Sequence, residues 1–281
     1  MKNLADKEIF SSIRETFRNF ARYVRNSKKK ILLISEPNIR GALALAPIEA
    51  ALLDSGIPYR RRFTDRSPDS EPFVNVVGDI GKGTASNNGI VISEFIVEGL
   101  KGSSGDSRKG PLSTVAQAHF LASEINTSSE RLRIMRPWIL SGNWISDSLD
   151  RTYDPVYSFL RDHLSEQGVI RVVPVTEVKS PELGIFSWIE GNQLRSASDA
   201  WHTYDLEKRE RIMGDLVKPI LHSKTPSTTR VEELLWHCII APNWDSDLSS
   251  QIFIANSFWE NKTPLEAATD ITDRLVSKGQ I

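Results

Sequence analysis

Apolar positions recur along the chain in different ways, and each way predicts a different element. Between residues 5 and 27, Ile9, Ile13, Phe17, Phe20 and Val24 return every three or four residues, which predicts an amphipathic helix. Ile31 to Ile34 is a solid apolar run, which predicts a short buried strand. The run stops at Ser35-Glu-Pro-Asn-Ile-Arg-Gly41. Pro37 cannot donate to a sheet, and Gly41 can open a helix. Residues 42–56 then read as an apolar helix ended by Gly56, and residues 58–63 as a second strand. Strand, loop, helix and strand make a βαβ unit. Its first loop, residues 35–41, lies at the carboxyl end of a strand, where open α/β sheets bind ligands.

Further along, residues 64–71 are polar and residues 73–80 predict a strand ending at Asp79. The Gly81-Lys-Gly of the following loop lacks the spacing of a nucleotide-binding P-loop. Residues 89–94 predict another strand, and residues 101–111 have the composition of a mobile loop. A helix is expected over 112–126. Asp154-Pro155 opens another that Gly168 ends, and residues 169–173 read as a strand. Residues 184–191 suggest a strand and a turn. Helices follow at about 206–222, 229–241, 248–261 and 264–278, two of them behind the capping boxes Thr229-x-x-Glu232 and Thr263-x-x-Glu266. Trp236, Trp244 and Trp259 are expected in the core of this helical part. The fold class is therefore α/β. A parallel-sheet domain with flanking helices is expected over residues 1–175, and a smaller, mostly helical C-terminal domain over 176–281.

Composition narrows the chemistry. The 281 residues are 40% hydrophobic and 25% charged with a net charge of −1, so nucleic-acid binding would need a local patch. Two patches offer themselves. Arg14, Arg18, Arg22 and Arg25 form a second stripe on the first helix, with Lys28, Lys29 and Lys30 after it. The stripe is either a solvated face with cations near a helix C-terminus or a dock for phosphates or an acidic partner. Arg60, Arg61 and Arg62, with Arg66, are either alternation on an edge strand or a similar dock. The single cysteine, Cys238, falls in an apolar run read as helical and is expected in the core. It fits a reducing cytoplasm. The N-terminus reads as a charged helix rather than a signal peptide, and no apolar run approaches the ~20 residues of a membrane span. A cytoplasmic protein without membrane contact is expected. The histidines, among them His119 and His222, show no metal-ligand spacing, and no nucleophile elbow or dinucleotide fingerprint is present.

The order of elements over about residues 28–175 resembles the DHH phosphoesterase superfamily, and within it the archaeal RecJ-like proteins. That family carries His-x-Asp-x-Asp-Gly after its first strand, an Asp after a second, Asp-His-His after a third, and a later Gly-x-x-x-Asp. These hold two manganese or magnesium ions that activate water for phosphodiester hydrolysis. Aligned on Gly41, the first motif here is Glu36-Pro-Asn38-Ile-Arg40. The second survives as Asp79-Ile-Gly81, the third becomes Ser93-Glu94-Phe95, and the fourth survives as Asp147. A guanidinium ~4 Å from a divalent ion costs about 8 kcal/mol at an effective dielectric near 20, and Arg40 cannot lose its proton to escape. The resemblance therefore implies that Arg40 replaces the metal among Asp79, Asp147 and Glu94, so that Glu36, Asn38, Arg40, Asp79, Ser93, Glu94 and Asp147 are all vestigial positions and no catalytic or metal-binding residue remains. RecJ-like proteins without the metal site are similar to the cell-division-cycle subunit of the CMG helicase. The implied role is a scaffold that binds the GINS complex and through it the MCM helicase, with contact to single-stranded DNA and no cofactor. The alternative is a manganese- or magnesium-dependent exonuclease or small-nucleotide phosphoesterase that uses Glu36, Asp79, Glu94 and Asp147.

Overall fold

Ile31–Ser35 is buried along its whole length, as a strand covered on both faces must be. In this computed structural model it is β1. Residues 7–27, 29–66, 68, 72–81, 85–86, 89–101, 107–151, 153–221 and 226–281 are described. The side chains of Asp79 and Lys101, and residues 1–6, Lys28, 102–106 and His222, lie outside the description.

Strand β2 (Tyr59–Phe63) runs parallel to β1 on one side, and β3 (Phe73–Ile80) runs parallel on the other. The strand after that, β5 (Gly89–Lys101), is parallel to β3, and the two-residue β4 (Ala85–Ser86) is antiparallel to β5. The order is β2-β1-β3-β5-β4. The chain thus leaves β1 for one neighbour and returns to the other, which makes the carboxyl end of β1 the point where strand order reverses.

Helix α1 (Ser11–Ser27) buries Ile13, Phe17, Phe20 and Val24, the stripe read from the sequence. The ring of Phe17 stacks on Phe120 of α3 (Thr114–Ile125), 5.7 Å between centroids. Helix α2 (Ile39–Asp54) is buried on nearly every side and packs against α3. It begins at residue 39, three residues before the expected start, because Asn38 caps it by accepting from the Gly41 amide at 2.8 Å.

The mobile loop expected at 101–111 is corrected at Lys101 and over residues 107–111, while 102–106 lie outside the described residues. β5 continues to Lys101, and Ser107–Leu112 returns beside it as the antiparallel β6. The glycines here serve close packing rather than freedom of the chain. A Cβ on Gly99 would lie 2.7 Å from the Pro155 carbonyl carbon, and one on Gly110 would lie 2.9 Å from Asp154 Oδ1. Both press on the start of α7 (Pro155–Glu166), which Asp154 caps as its sequence predicts. Between α3 and α7 lie the short helices α4 (Glu130–Met135), α5 (Ser141–Trp144) and α6 (Ser148–Arg151).

The C-terminal part differs from expectation in three places. Residues 184–191 form turns, and α8 (Gly191–Ala200) follows in place of a strand. After α9 (Leu206–Val217), the helix α10 (Thr228–Leu235) is capped by Ser227, not Thr229, and ends before Cys238. Cys238–Ile240 is instead β8, paired antiparallel with β7 (Arg171–Val173). A short apolar run reads equally as strand or helix, and pairing with β7 decides it. Cys238 is buried, as expected, but Trp236 is 39% exposed and is no core residue. Helices α11 (Leu248–Asn261) and α12 (Pro264–Lys278) fall where expected, and the Thr263–Glu266 capping box forms.

Among the described residues, packing is continuous between the expected domains 1–175 and 176–281. One apolar cluster runs from Ile9 to Val276. Thr272 of α12 donates to the Ala42 carbonyl of α2 at 3.4 Å, and Trp138 Nε1 donates to the Gly279 carbonyl at 2.9 Å. Among the described residues no helix is long and apolar enough to cross a membrane.

Candidate functional site at the sheet switch point

The loop from β1 into α2 is shaped by its own polar groups. Ser35 Oγ donates to the Val76 carbonyl of β3 at 3.1 Å, and Asn38 Nδ2 donates to Glu36 Oε2 at 2.9 Å. The chain turns so tightly that a Cβ on Gly41 would sit 2.4 Å from the Glu36 carbonyl oxygen and 2.5 Å from Ser35 Oγ. From above, Trp259 of α11 donates its indole N–H to the Pro37 carbonyl at 3.1 Å. The loop is thus held by the sheet on one side and by a helix more than two hundred residues away on the other.

The crevice beside this loop is lined by Glu36, Asn38 and Arg40, by Val76 to Gly78 of β3, by Glu94 of β5 and by Thr114 of α3. Its volume is about 20 Å³, room for one water. Arg40 projects from the first turn of α2, and its guanidinium lies 3.5 Å from Glu94 Oε2. The Glu94 side chain is 13% exposed and that of Arg40 39%. Burial pushes the Glu94 carboxyl above its ordinary value, Arg40 pulls it back down, and the carboxylate of Asp154 adds to the rise.

Neighbouring groups set the crevice wall. Ser93 is buried, and its hydroxyl donates to the Gly81 carbonyl at the end of β3, so it closes the strand end instead of facing a ligand. Gln117, fully buried in α3, donates to the Ser93 carbonyl at 2.6 Å and the Leu112 carbonyl at 3.0 Å. Asn38 spends its side-chain oxygen on the helix cap.

Of the acids that the sequence reading groups together, Glu36 and Glu94 share the crevice. Asp79 belongs to β3, and its side chain lies outside the description. Asp147 is exposed in the turn before α6 and does not line the crevice. Among the described residues, the acid whose charge acts on Glu94 is Asp154, which does not line the crevice and which sequence reasoning placed only as a helix cap. It is buried and accepts from the amides of Val156 and Tyr157, from Asn143 Nδ2 and from Ser148 Oγ. Two divalent ions about 3.5–4 Å apart need a cluster of hard donors. Among the described residues no His, Cys, Asp and Glu side chains group in that way, and a guanidinium stands beside Glu94. The described donors do not fit a two-metal centre.

The arginine stripe of α1 makes bonds within the chain, while Arg22 and Arg25 stay exposed. Arg18 pairs with Glu124 of α3 at 3.2 Å, and Arg25 donates to the Glu124 carbonyl. Arg14 donates to the Lys7 carbonyl at 2.9 Å, and Arg22 to Asn19 Oδ1 at 3.1 Å. On the edge strand β2, Arg61 faces the helices and pairs with Glu49 at 2.8 Å and Asp273 at 2.7 Å. Arg60 and Arg62 point the other way and are exposed. His119 is buried in α3 with Nε2 unpartnered, and burial pushes its imidazole down to about 3.

The chain matches no protein-family model and no curated protein.

Proposed function

We propose that this chain is a non-catalytic scaffold protein, a RecJ-like DHH relative in which an internal cation fills the place of the catalytic ions. The observation that carries this reading is the Arg40–Glu94 ion pair inside a crevice of about 20 Å³ at the sheet's switch point. A side chain fixed on the first turn of α2 supplies the positive charge, so carboxylate repulsion is relieved without an ion. Hydrolysis of a phosphodiester needs an activated water and room for the substrate phosphate beside it, and the crevice formed by the described residues has the volume of one water.

The partners follow from the resemblance over about residues 28–175. They are the GINS complex and through it the MCM helicase, with contact to single-stranded DNA. The test has two arms. Manganese titrated into the protein by calorimetry is expected to give no stoichiometric binding. Single-stranded DNA, RNA and dinucleotides are expected to stay intact in its presence. Manganese-dependent hydrolysis that disappears in Glu94→Ala and Asp79→Ala would overturn the scaffold reading in favour of a metal-dependent phosphodiesterase. A pull-down from the native source, read by mass spectrometry, is expected to recover GINS or helicase subunits. Their absence removes the replication partners and leaves the calorimetric result standing by itself.

A further inference from the structure

A second hollow, of about 740 Å³, opens on the sheet edge, and no residue lines both it and the switch-point crevice. Its walls include Leu32 and Ile34 of β1, Phe63 of β2 and Leu265 at the start of α12, all apolar. Arg62 and Arg66 line it and are both exposed. Arg60 lies two residues before Arg62 on the same face of β2, about 6.6 Å along the strand. Unlike Arg61, these three guanidinium groups have no ion pair or hydrogen bond among the described residues.

We propose that this groove docks an acidic protein segment that carries an apolar residue. The volume lies in the range of well-formed ligand sites. Guanidinium forks match carboxylates in bidentate geometry, and three of them have no partner among the described residues, on a chain whose net charge is −1. The apolar residue of the segment would lie over Leu265, which is 54% exposed at the groove wall. Two features favour a peptide over a nucleic-acid strand. Grooves for single strands pair basic groups with aromatic faces on which bases stack. The aromatic side chain lining this groove is Phe63, and Arg61 already lies over its ring, 5.6 Å from the centroid. Asp65 also lines the groove. It repels a strand charged at every nucleotide, whereas a peptide can place its carboxylates around it. The groove stands apart from the crevice, so the inference holds whether or not the crevice is catalytic.

The experiment is fluorescence anisotropy on the full chain with a labelled Asp-Glu-Asp-Leu-Phe-Glu-Asp-Glu peptide at about 50 mM salt, where surface charges are weakly screened. Saturable binding is expected, and added salt should weaken it. Arg62→Gln with Arg66→Gln should weaken it about tenfold or more. Replacing Leu-Phe in the peptide by Ala-Ala should also weaken it. Arg108→Gln with Lys109→Gln, which removes the same charge from β6, should leave it unchanged. Both double variants alter exposed side chains, and circular dichroism should show wild-type melting for each. Absence of saturable binding, or equal loss in the two double variants, overturns the proposal. So does an oligothymidylate that binds more tightly and displaces the peptide, which would make the groove a nucleic-acid site.

Discussion

Arg40 and Glu94 are a half-exposed cation beside a mostly buried acid, and that asymmetry sets what their removal costs. Exposed pairs contribute about 0–1 kcal/mol, while breaking a fully buried pair costs about 3–5. Arg40→Ala is therefore expected to destabilise the protein by about 1–2 kcal/mol at neutral pH. Arg40→Ala with Glu94→Gln should recover most of that, which a double-mutant cycle in urea would measure. The pH dependence has a definite sign. The folded pKa of Glu94 is raised, so the folded state holds its proton longer than the unfolded chain does. The contribution of Glu94 to stability is fully present below its ordinary value of 4.5 and is lost as pH rises through the folded value. Removing Arg40 takes away the group that pulls that value down, so the Arg40→Ala deficit should be larger at pH 8 than at pH 5. His119 behaves in the opposite sense. Its folded pKa is depressed from 6.5 to about 3, so its contribution is present above 6.5 and lost as pH falls between those values. At the lower end the loss is of order 5 kcal/mol. His119→Leu is expected to flatten the stability curve between pH 6.5 and 4, and an unchanged acid limb would refute this. Arg40 was legible in the sequence as a cation out of place. Glu94 stood among the acids expected around it. That Asp154 acts on Glu94 was not legible, because spacing along the chain cannot say which distant acid comes near.

At the scale of elements, the first βαβ unit was legible because each boundary has a local cause. Pro37 stops β1, Asn38 caps α2, and Gly56, at φ +64°, ends the helix. Gly41 is the tightest of these points. Gly41→Ala forces a Cβ into the Glu36 carbonyl and Ser35 Oγ, so the loop must shift. A loss of about 1–3 kcal/mol is expected, as for other overpacked sites, and chemical denaturation would show it as a lower midpoint with an unchanged slope. The elements that escaped sequence reading are those decided by tertiary contact. The β5–β6 ribbon has the glycines and serines of a loop, but Gly99 and Gly110 are placed by the approach of α7. β8 is three residues long and owes its state to β7. Ser227 displaced Thr229 as the cap of α10 because three hydroxyls, at 227, 228 and 229, stood at one helix start, and the sequence alone did not rank them.

At the scale of the molecule, the question is whether residues 176–281 are a unit or a part of the first fold. Pro174 and Pro181 interrupt the pattern near the junction, and that interruption suggested a boundary. The contacts run the other way. α12 packs along α2, Asp273 of α12 completes the pairing of Arg61 in β2, and Trp259 of α11 holds Pro37 in the loop that shapes the crevice. The indole donates to the Pro37 carbonyl at 3.1 Å, so Trp259→Phe is expected to cost about 0.5–1.5 kcal/mol while keeping most of the packing. The larger consequence concerns cooperativity. Two halves with separate cores can melt separately, but one continuous apolar cluster makes each half's core depend on the other. Calorimetry of the full chain is therefore expected to show a single transition, with van't Hoff and calorimetric enthalpies in agreement. A chain ending at residue 175 would leave the outer side of α2 uncovered and Arg61 without Asp273, and it should expose apolar surface and lose cooperative melting. Two resolved transitions, or a sharp melt from the shortened chain, would show that the crevice is built by the first 175 residues alone.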